Sequence, residues 1–287
     1  MASVEVFEQQ RPRLFGIAYR MLGSAAEAED VVQDAWLRWQ GTTGVVDNPG
    51  AFLATVVTRL CLNALDSARA RRETYIGPWL PEPVDTSADP LLGAERAEAL
   101  SLAALLLLER LTPAERAAYV LHEAFDYPFR QIAEVLEVSE ANARQLGSRA
   151  RKHLDSDRRA PVDPADRERL LGALLTAMRS GDIAALEQIL AADVLVLSDG
   201  GGFVSAARKP ILGRERVASF LVGVATKLAA DVEFAPVAVN GEVATLGVRD
   251  GHPQSLTTVQ FDGPRIASVY IVMNPAKIAS LVPLAAR

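Results

Sequence analysis

The run Phe129-Arg-Gln-Ile-Ala-Glu-Val-Leu136, Glu137-Val-Ser139, Glu140-Ala-Asn-Ala-Arg-Gln-Leu-Gly-Ser-Arg-Ala-Arg-Lys-His-Leu154 reads as two short helices on a tight turn. Phe129, Ile132, Ala133 and Leu136 form the inner face of the first helix, and Ala143, Leu146, Gly147, Ala150 and Leu154 that of the second. Three residues separate the two, and Ser139 is placed to cap the second. This is the pattern of a helix-turn-helix, whose second helix enters the DNA major groove. The outward face of that helix carries Arg144, Gln145, Ser148, Arg149, Arg151 and Lys152. Residues 141–153 hold four positive side chains and no negative one. Arg reads guanine edges and Gln reads adenine, each bidentate pair adding about 1–3 kcal/mol of discrimination. Further Arg and Lys side chains hold phosphates. The competing reading is an αα-hairpin with a solvated basic face.

Upstream, Thr112-Pro113-Ala114-Glu115 is a helix start with Pro at its first position and a capping box. Helices are expected from about Glu95 onward. Residues 73–94 differ: Pro78, Pro81, Pro83 and Pro90, with Gly77 and Gly93, forbid a long helix. Tyr75, Ile76, Trp79 and Leu80 are nevertheless too apolar for a purely solvated linker, so a packing partner is expected. The first 72 residues read as three helices. In the second, Ala28, Val31, Val32, Ala35 and Trp39 form a buried stripe, with Glu27, Asp30, Asp34 and Arg38 opposite. Asn48-Pro49 opens the third, whose stripe is Leu53, Val56, Val57, Leu60 and Ala64. Its far side carries Thr55, Arg59, Asn63 and Asp66, and its end is Arg69, Arg71 and Arg72.

Downstream, Pro161 and Pro164 mark a second linker over 155–165. Two short helices (about 165–179 and 182–191) then lead to a strand at Val194–Leu197, the loop Asp199-Gly-Gly-Gly202 and a helix near 214–228. Four β-rich runs follow at 231–239, 243–249, 255–261 and 265–272, with turns at Gly241, Gly251 and Asp262-Gly263. The order implies an α+β domain with helices on one curved antiparallel sheet.

Composition sets outer bounds. The chain has 287 residues, 49% hydrophobic and 23% charged, which fits two or three folded domains. The longest uninterrupted apolar stretch, Leu102 to Leu108, is far below the ~20 residues of a spanning helix. Cys61, the single cysteine, excludes an internal disulfide, zinc clusters and CxxC chemistry, and reads as packing. No basic, apolar, small-residue start is seen, so a cytoplasmic location is expected. The net charge of −6 argues at first against nucleic acid. Residues 1–153 hold 16 Lys+Arg and 21 Asp+Glu, and residues 154–287 hold 14 and 15, so neither half is basic. The pattern lies inside the first half: acid between Glu27 and Asp34, base at 69–72 and 144–152.

Taken together, Glu29-Asp-Val-Val-Gln-Asp-Ala-Trp36, the basic-ended helix after it and the helix-turn-helix resemble a bacterial sigma factor of the extracytoplasmic-function group. Residues 5–73 resemble its region 2. Residues 95–154, with Leu111-Thr-Pro-Ala-Glu-Arg116 leading in, resemble its region 4, and the middle region of larger sigma factors is missing. The resemblance implies two partners, core RNA polymerase and promoter DNA. The face of Glu27, Asp30, Gln33, Asp34 and Arg38 would dock on the polymerase. Thr58, Arg59, Asn63, Arg69, Arg71 and Arg72 would capture the unwound −10 strand. The helix after Ser139 would read the −35 element, although many members carry a basic residue where Leu146 stands.

Trp79-Leu-Pro-Glu-Pro83, Asp199-Gly-Gly-Gly202 and Asn274-Pro-Ala-Lys-Ile278 further resemble a subgroup with a fused SnoaL-like α+β domain. That subgroup has Lys where Phe203 stands, and Asp and Leu where Ala276 and Ile278 stand, so a role of the loop lysine does not carry over. The expectation is a multidomain chain: region 2 over 1–73, a linker over 74–94, region 4 over 95–154, a linker over 155–165 and a SnoaL-like domain over 166–287. Trp79, Leu80, Pro81, Asp199, Gly200, Gly201, Gly202, Asn274, Pro275 and Lys277 are the expected regulatory contacts, replacing a separate anti-sigma protein. A cone-shaped α+β domain also hosts cyclases and isomerases, for which Asp199, Asp231, Asp250 and His252 are the candidates. Their positions at turns argue for solvated residues instead. No enzyme activity, catalytic residue, cofactor, metal or membrane partner is expected. A ligand-sensing repressor is the other alternative, and it would have no use for the acidic face.

Overall fold

Gly23 and Ser24 illustrate how local chemistry cuts this chain into helices. Gly23 sits at φ 68° and its N–H caps helix α1 (Val4–Leu22) through the Tyr19 carbonyl. Ser24 then starts α2 (Ala25–Gln40) by accepting from the Glu27 N–H. Asn48 caps α3 (Pro49–Glu73) at the Ala51 N–H, with Pro49 in the first turn. The computed structural model describes residues 3–86, 100–155, 159, 162–228 and 232–281. The chain divides into a helical unit, Met1–Thr74 with Pro81–Asp157, and a second unit, Tyr75–Leu80 with Arg158–Arg287.

In the helical unit, α4 (Leu102–Leu108) precedes α5 (Pro113–Tyr119), which opens on the expected Thr112/Glu115 capping box. A π-helical turn, Val120–Ala124, follows. Then come α6 (Phe129–Leu136) and α7 (Glu140–Asp155), separated by Glu137 in the left-handed conformation. Gly147 is required here, because a Cβ would lie 2.9 Å from the Phe129 ring. One apolar core runs through the unit, from Leu14, Ile17, Val32, Leu53 and Val57 to Leu121, Phe125, Ile132 and Ala143. Each fully buried Leu, Ile, Val or Phe contributes about 1.5–3 kcal/mol, so the two helix groups are joined by more than charge.

The second unit contains α8 (Pro164–Ser180), α9 (Ile183–Ile189), β1 (Leu190–Asp199), β2 (Ile211–Leu212), α10 (Arg214–Leu228), β3 (Glu233–Val239), β4 (Glu242–Arg249), β5 (His252–Asp262), β6 (Arg265–Val272) and α11 (Pro275–Ile278). The strands form one sheet in the order β2-β1-β6-β5-β4-β3. It is not purely antiparallel, as expected from the hairpins, because β1 runs parallel to β6. Leu190 begins a strand rather than ending a helix at 191, and the short β2 is an addition. Asn240-Gly241 and Asp250-Gly251 each place two consecutive residues at positive φ, which closes tight hairpins. One sheet face, with Val194, Val196, Val269 and Ile271, packs with Leu170, Leu174, Leu186, Val217 and Leu221 of the helices. Alternation puts Asp199, Val272, Leu256 and Leu246, which are register partners in turn, on the other face.

Candidate nucleic-acid interface and linker site

Helix α7 presents Arg144, Gln145, Ser148, Arg149, Arg151 and Lys152 to solvent. Ser139 Oγ accepts from the Asn142 N–H at 3.2 Å, the expected cap. Leu146 is 8% exposed and belongs to the core, so it offers no base contact. The arginines rest on nearby acids: Arg144 on Glu140 of the preceding turn, Arg149 on Glu115 at 3.7 Å, and Arg151 on Glu123. Arg144 also lies over the Phe129 ring. The Arg144–Glu140 pair is exposed on both sides, and such pairs are worth about 0–1 kcal/mol, so a phosphate can replace Glu140 cheaply. His122 has a structural environment, with Nδ1 at 3.0 Å from the Tyr127 carbonyl and its ring against Phe129.

On α2, Asp30, Gln33, Asp34 and Arg38 are all exposed. Glu27 departs from that face: it is half-buried, and its charge adds to burial in pushing the Cys61 thiol pKa upward. Thr58 is a clearer correction. It is fully buried on α3, with no hydrogen-bond partner for Oγ1 among the described residues, and cannot touch a DNA strand from there. Arg59 and Asn63 are exposed. Arg72 is paired with Glu109 and donates to the Leu22 carbonyl. The side chains of Arg69 and Arg71 lie outside the described residues.

The second unit builds a tight site around Asp199, which is fully buried. This overturns the solvated-turn expectation for that residue. Asp199 Oδ1 accepts from Tyr75 Oη at 2.6 Å and from the Gly201 N–H at 3.0 Å. Oδ2 accepts from the Leu80 N–H at 2.9 Å and from Lys277 Nζ at 2.8 Å. Four donors fill the carboxylate, leaving no lone pair to act as a base. Lys277 also donates to the Leu80 carbonyl and sits 4.5 Å from the Trp79 ring centroid and 5.1 Å from that of Tyr75. Asn274 Nδ2 donates to Tyr75 Oη at 2.8 Å. Gly201 and Gly202 sit at positive φ, and Cβ atoms there would lie 2.4 Å from Asn274 Nδ2 and 2.9 Å from Ile76 Cδ1. The loop is therefore glycine-rich so that its backbone can press against the linker. Burial, then the bond to Asp199, pushes the Tyr75 pKa up, so the hydroxyl remains a donor.

Of the expected regulatory set, Trp79, Leu80, Asp199, Gly201, Asn274 and Lys277 converge in this site. Gly200 is buried just beside it, Gly202 packs on Ile76, and Pro275 opens α11. Pro81 belongs to the helical unit. Sequence reasoning missed Tyr75 as a site residue and missed Glu82. The Glu82 carboxylate accepts from Ser24 Oγ at 3.0 Å and from the Ala25 N–H at 2.9 Å, an acid on the N-terminus of α2. Tyr19 Oη in turn donates to the Glu82 carbonyl. Only the Trp-Leu-Pro-Glu-Pro resemblance hinted at Glu82. Asp250 and His252 are exposed at a hairpin, and Asp231 lies outside the described residues. Among the described residues no group of three or more His, Cys, Asp or Glu is placed to hold a metal, and no helix is long and apolar enough to cross a membrane.

Residues 6–71 match the family model for sigma-70 region 2, and residues 101–154 that for sigma-70 region 4. The ECF RNA polymerase sigma factor SigJ of Mycobacterium tuberculosis is 40% identical over 96% of this chain and 92% of its own length. Its crystal structure superposes with a TM-score of 0.78 at 38% identity, covering 96% of this chain and 98% of that one. The probable ECF RNA polymerase sigma factor SigI of the same organism is 30% identical over 94% of this chain and 93% of its own. A SnoaL-like protein of unknown function from Burkholderia thailandensis aligns with 39% of this chain at 16% identity and a TM-score of 0.30, covering 97% of that chain. With both sigma-70 regions present in order and a relative matched over nearly its whole length, the chain belongs to the extracytoplasmic-function sigma factors, which bind RNA polymerase and direct promoter-specific initiation.

Proposed function

We propose that this sigma factor carries its own regulator, the sheet unit, which controls initiation by holding the linker between regions 2 and 4. The observation that carries this reading is the Asp199–Lys277 pair closed on Tyr75, Trp79 and Leu80. Tyr75–Leu80 lies covalently between the two regions that engage the promoter. Holding those residues limits the conformations through which the regions can separate. Release of the linker shifts the population toward the separated state, provided the clamp differs in free energy between the two. No separate anti-sigma protein is needed for such control, and the factor works in the cytoplasm with polymerase.

Within that reading, Asp30, Gln33, Asp34 and Arg38 dock on core polymerase. The exposed face of α7 reads the −35 element, with Arg144 and Gln145 facing bases and Arg149, Arg151 and Lys152 facing phosphates. Arg59, Asn63 and the basic end of α3 take the −10 strand. The acidity of the whole chain fits a factor delivered to DNA by polymerase, because a protein seeking DNA alone gains affinity from counterion release. Transcription by core polymerase from a cognate promoter tests the assignment. Arg144→Ala should weaken initiation with a loss of about 1–3 kcal/mol of discrimination at one base position. Reversal of Asp30 and Asp34 to Lys should abolish holoenzyme formation, and retained assembly would reject the docking face.

A further inference from the structure

Regions 2 and 4 exchange arginines inside the helical unit. Arg59 on α3 donates through Nη2 to the Glu134 carbonyl at 3.0 Å and through Nε to the Val135 carbonyl at 3.1 Å. These are among the last carbonyls of α6, and Glu137 just beyond pairs with Arg59 at 3.0 Å. In the reverse direction, Arg116 on α5 donates to the Met21 carbonyl at 2.7 Å, at the end of α1. Each region thus supplies a cation to an orphan C-terminus in the other, where unsatisfied carbonyls and the helix dipole favour positive charge. Glu109 ties the arrangement together. It receives Arg116 at 2.8 Å and is also paired with Arg72, which donates to the neighbouring Leu22 carbonyl.

Two of these arginines, Arg59 and Arg72, belong to the set assigned to the −10 strand. In this arrangement both already hold protein partners, Arg59 through Nε and Nη2 and Arg72 through Nη1 and Nη2. We propose that the factor contains an autoinhibitory arginine latch, in which region 4 occupies the single-strand-binding arginines of region 2. Single-stranded DNA opens the latch by taking Arg59 and Arg72 as phosphate ligands. Every latch residue, from Met21 to Glu137, belongs to the helical unit, whereas the linker clamp on Tyr75–Leu80 belongs to the second unit. It rests on the reading of Arg59 and Arg72 as DNA contacts, and the test is chosen to separate the two.

The experiment uses the full chain with fluorophores on cysteines introduced at Gln40 and Asp155, both exposed, while buried Cys61 stays unlabelled. A short oligo(dT) strand is the probe, since phosphate contacts are sequence-independent. Glu109→Gln removes the shared acid. It should increase the distance between the labels and tighten oligo(dT) binding about tenfold, the gain expected when a minor open state becomes the main one. Arg59→Ala should also increase the distance but weaken oligo(dT) binding. Opposite signs on DNA with the same sign on distance are what a latch requires and a purely structural role does not give. Glu137→Gln, on an exposed pair, should move both readouts in the direction of Glu109→Gln by less, and serves where Glu109→Gln fails to fold. If neither acid variant changes distance or affinity, the latch is wrong. If Arg59→Ala keeps full affinity while the acid variants open the chain, the DNA assignment of Arg59 is wrong, and the latch as a competitor of DNA goes with it.

Discussion

Lys277→Met is the sharpest perturbation of the linker clamp, because it keeps an unbranched apolar four-atom stem and removes the terminal ammonium. Lys277 is 12% exposed at its side chain and its partner Asp199 is 0% exposed. The substitution deletes the bond to Asp199 Oδ2 and the bond to the Leu80 carbonyl, and leaves a buried carboxylate without its counter-ion. Breaking a buried pair from one side costs about 3–5 kcal/mol, a large part of the ~5–15 kcal/mol that holds a domain folded. The cost should fall mainly on the second unit, lowering its melting temperature by roughly 10 °C. Urea unfolding followed by tryptophan fluorescence reads the same loss, with Trp79 as the reporter beside Lys277. Asp199→Asn in the Lys277→Met background should restore at least about 1 kcal/mol, because the uncompensated charge is then gone. A Lys277→Met loss within about 0.5 kcal/mol, typical of a surface substitution, would refute the reasoning.

Other outcomes follow from the same geometry. Gly201→Ala should destabilise the second unit by about 1–3 kcal/mol, since it combines a positive φ with a collision on Asn274, and calorimetry reads it. Thr58→Val should leave DNA binding unchanged and keep or raise stability, because it removes a buried hydroxyl without a partner; a loss of −10 strand affinity with stability intact would restore the DNA role that burial denies it. Cys61 should resist alkylation at pH 8 in the folded protein, its thiol being held protonated by burial and by Glu27, and should react only on unfolding. Fast labelling under native conditions would contradict that placement.

What the sequence revealed was set by local chemistry. The helix starts at Asn48 and Thr112, the paired helices around Gly147 and the turns at Gly241 and Gly251 act within a few residues, and all were legible. The misses are non-local. Parallel pairing of β1 with β6 joins segments about 75 residues apart, beyond the range of any periodicity. Asp199 looked like a turn residue because three glycines follow it, yet its partner Tyr75 lies 124 positions away. Thr58 came in with the resemblance and not from the far side of α3, and its burial reflects a helix covered from more than one direction. Its stripe meets α1 and α2 while α5 and α6 pack elsewhere on it, so the helix lacks a simple wet face. Glu109 gave no sequence signal, since its value depends on where Arg72 and Arg116 arrive.

The central proposal is that the clamp governs initiation. The direct measurement is promoter output by core polymerase at saturating factor, comparing the unaltered chain with Lys277→Met, with folding of both sigma regions verified in the same samples. Release of Tyr75–Leu80 should raise output severalfold, because the regions then separate more often. Equal or lower output from a variant whose Trp79 fluorescence shows the linker released would contradict control through this site.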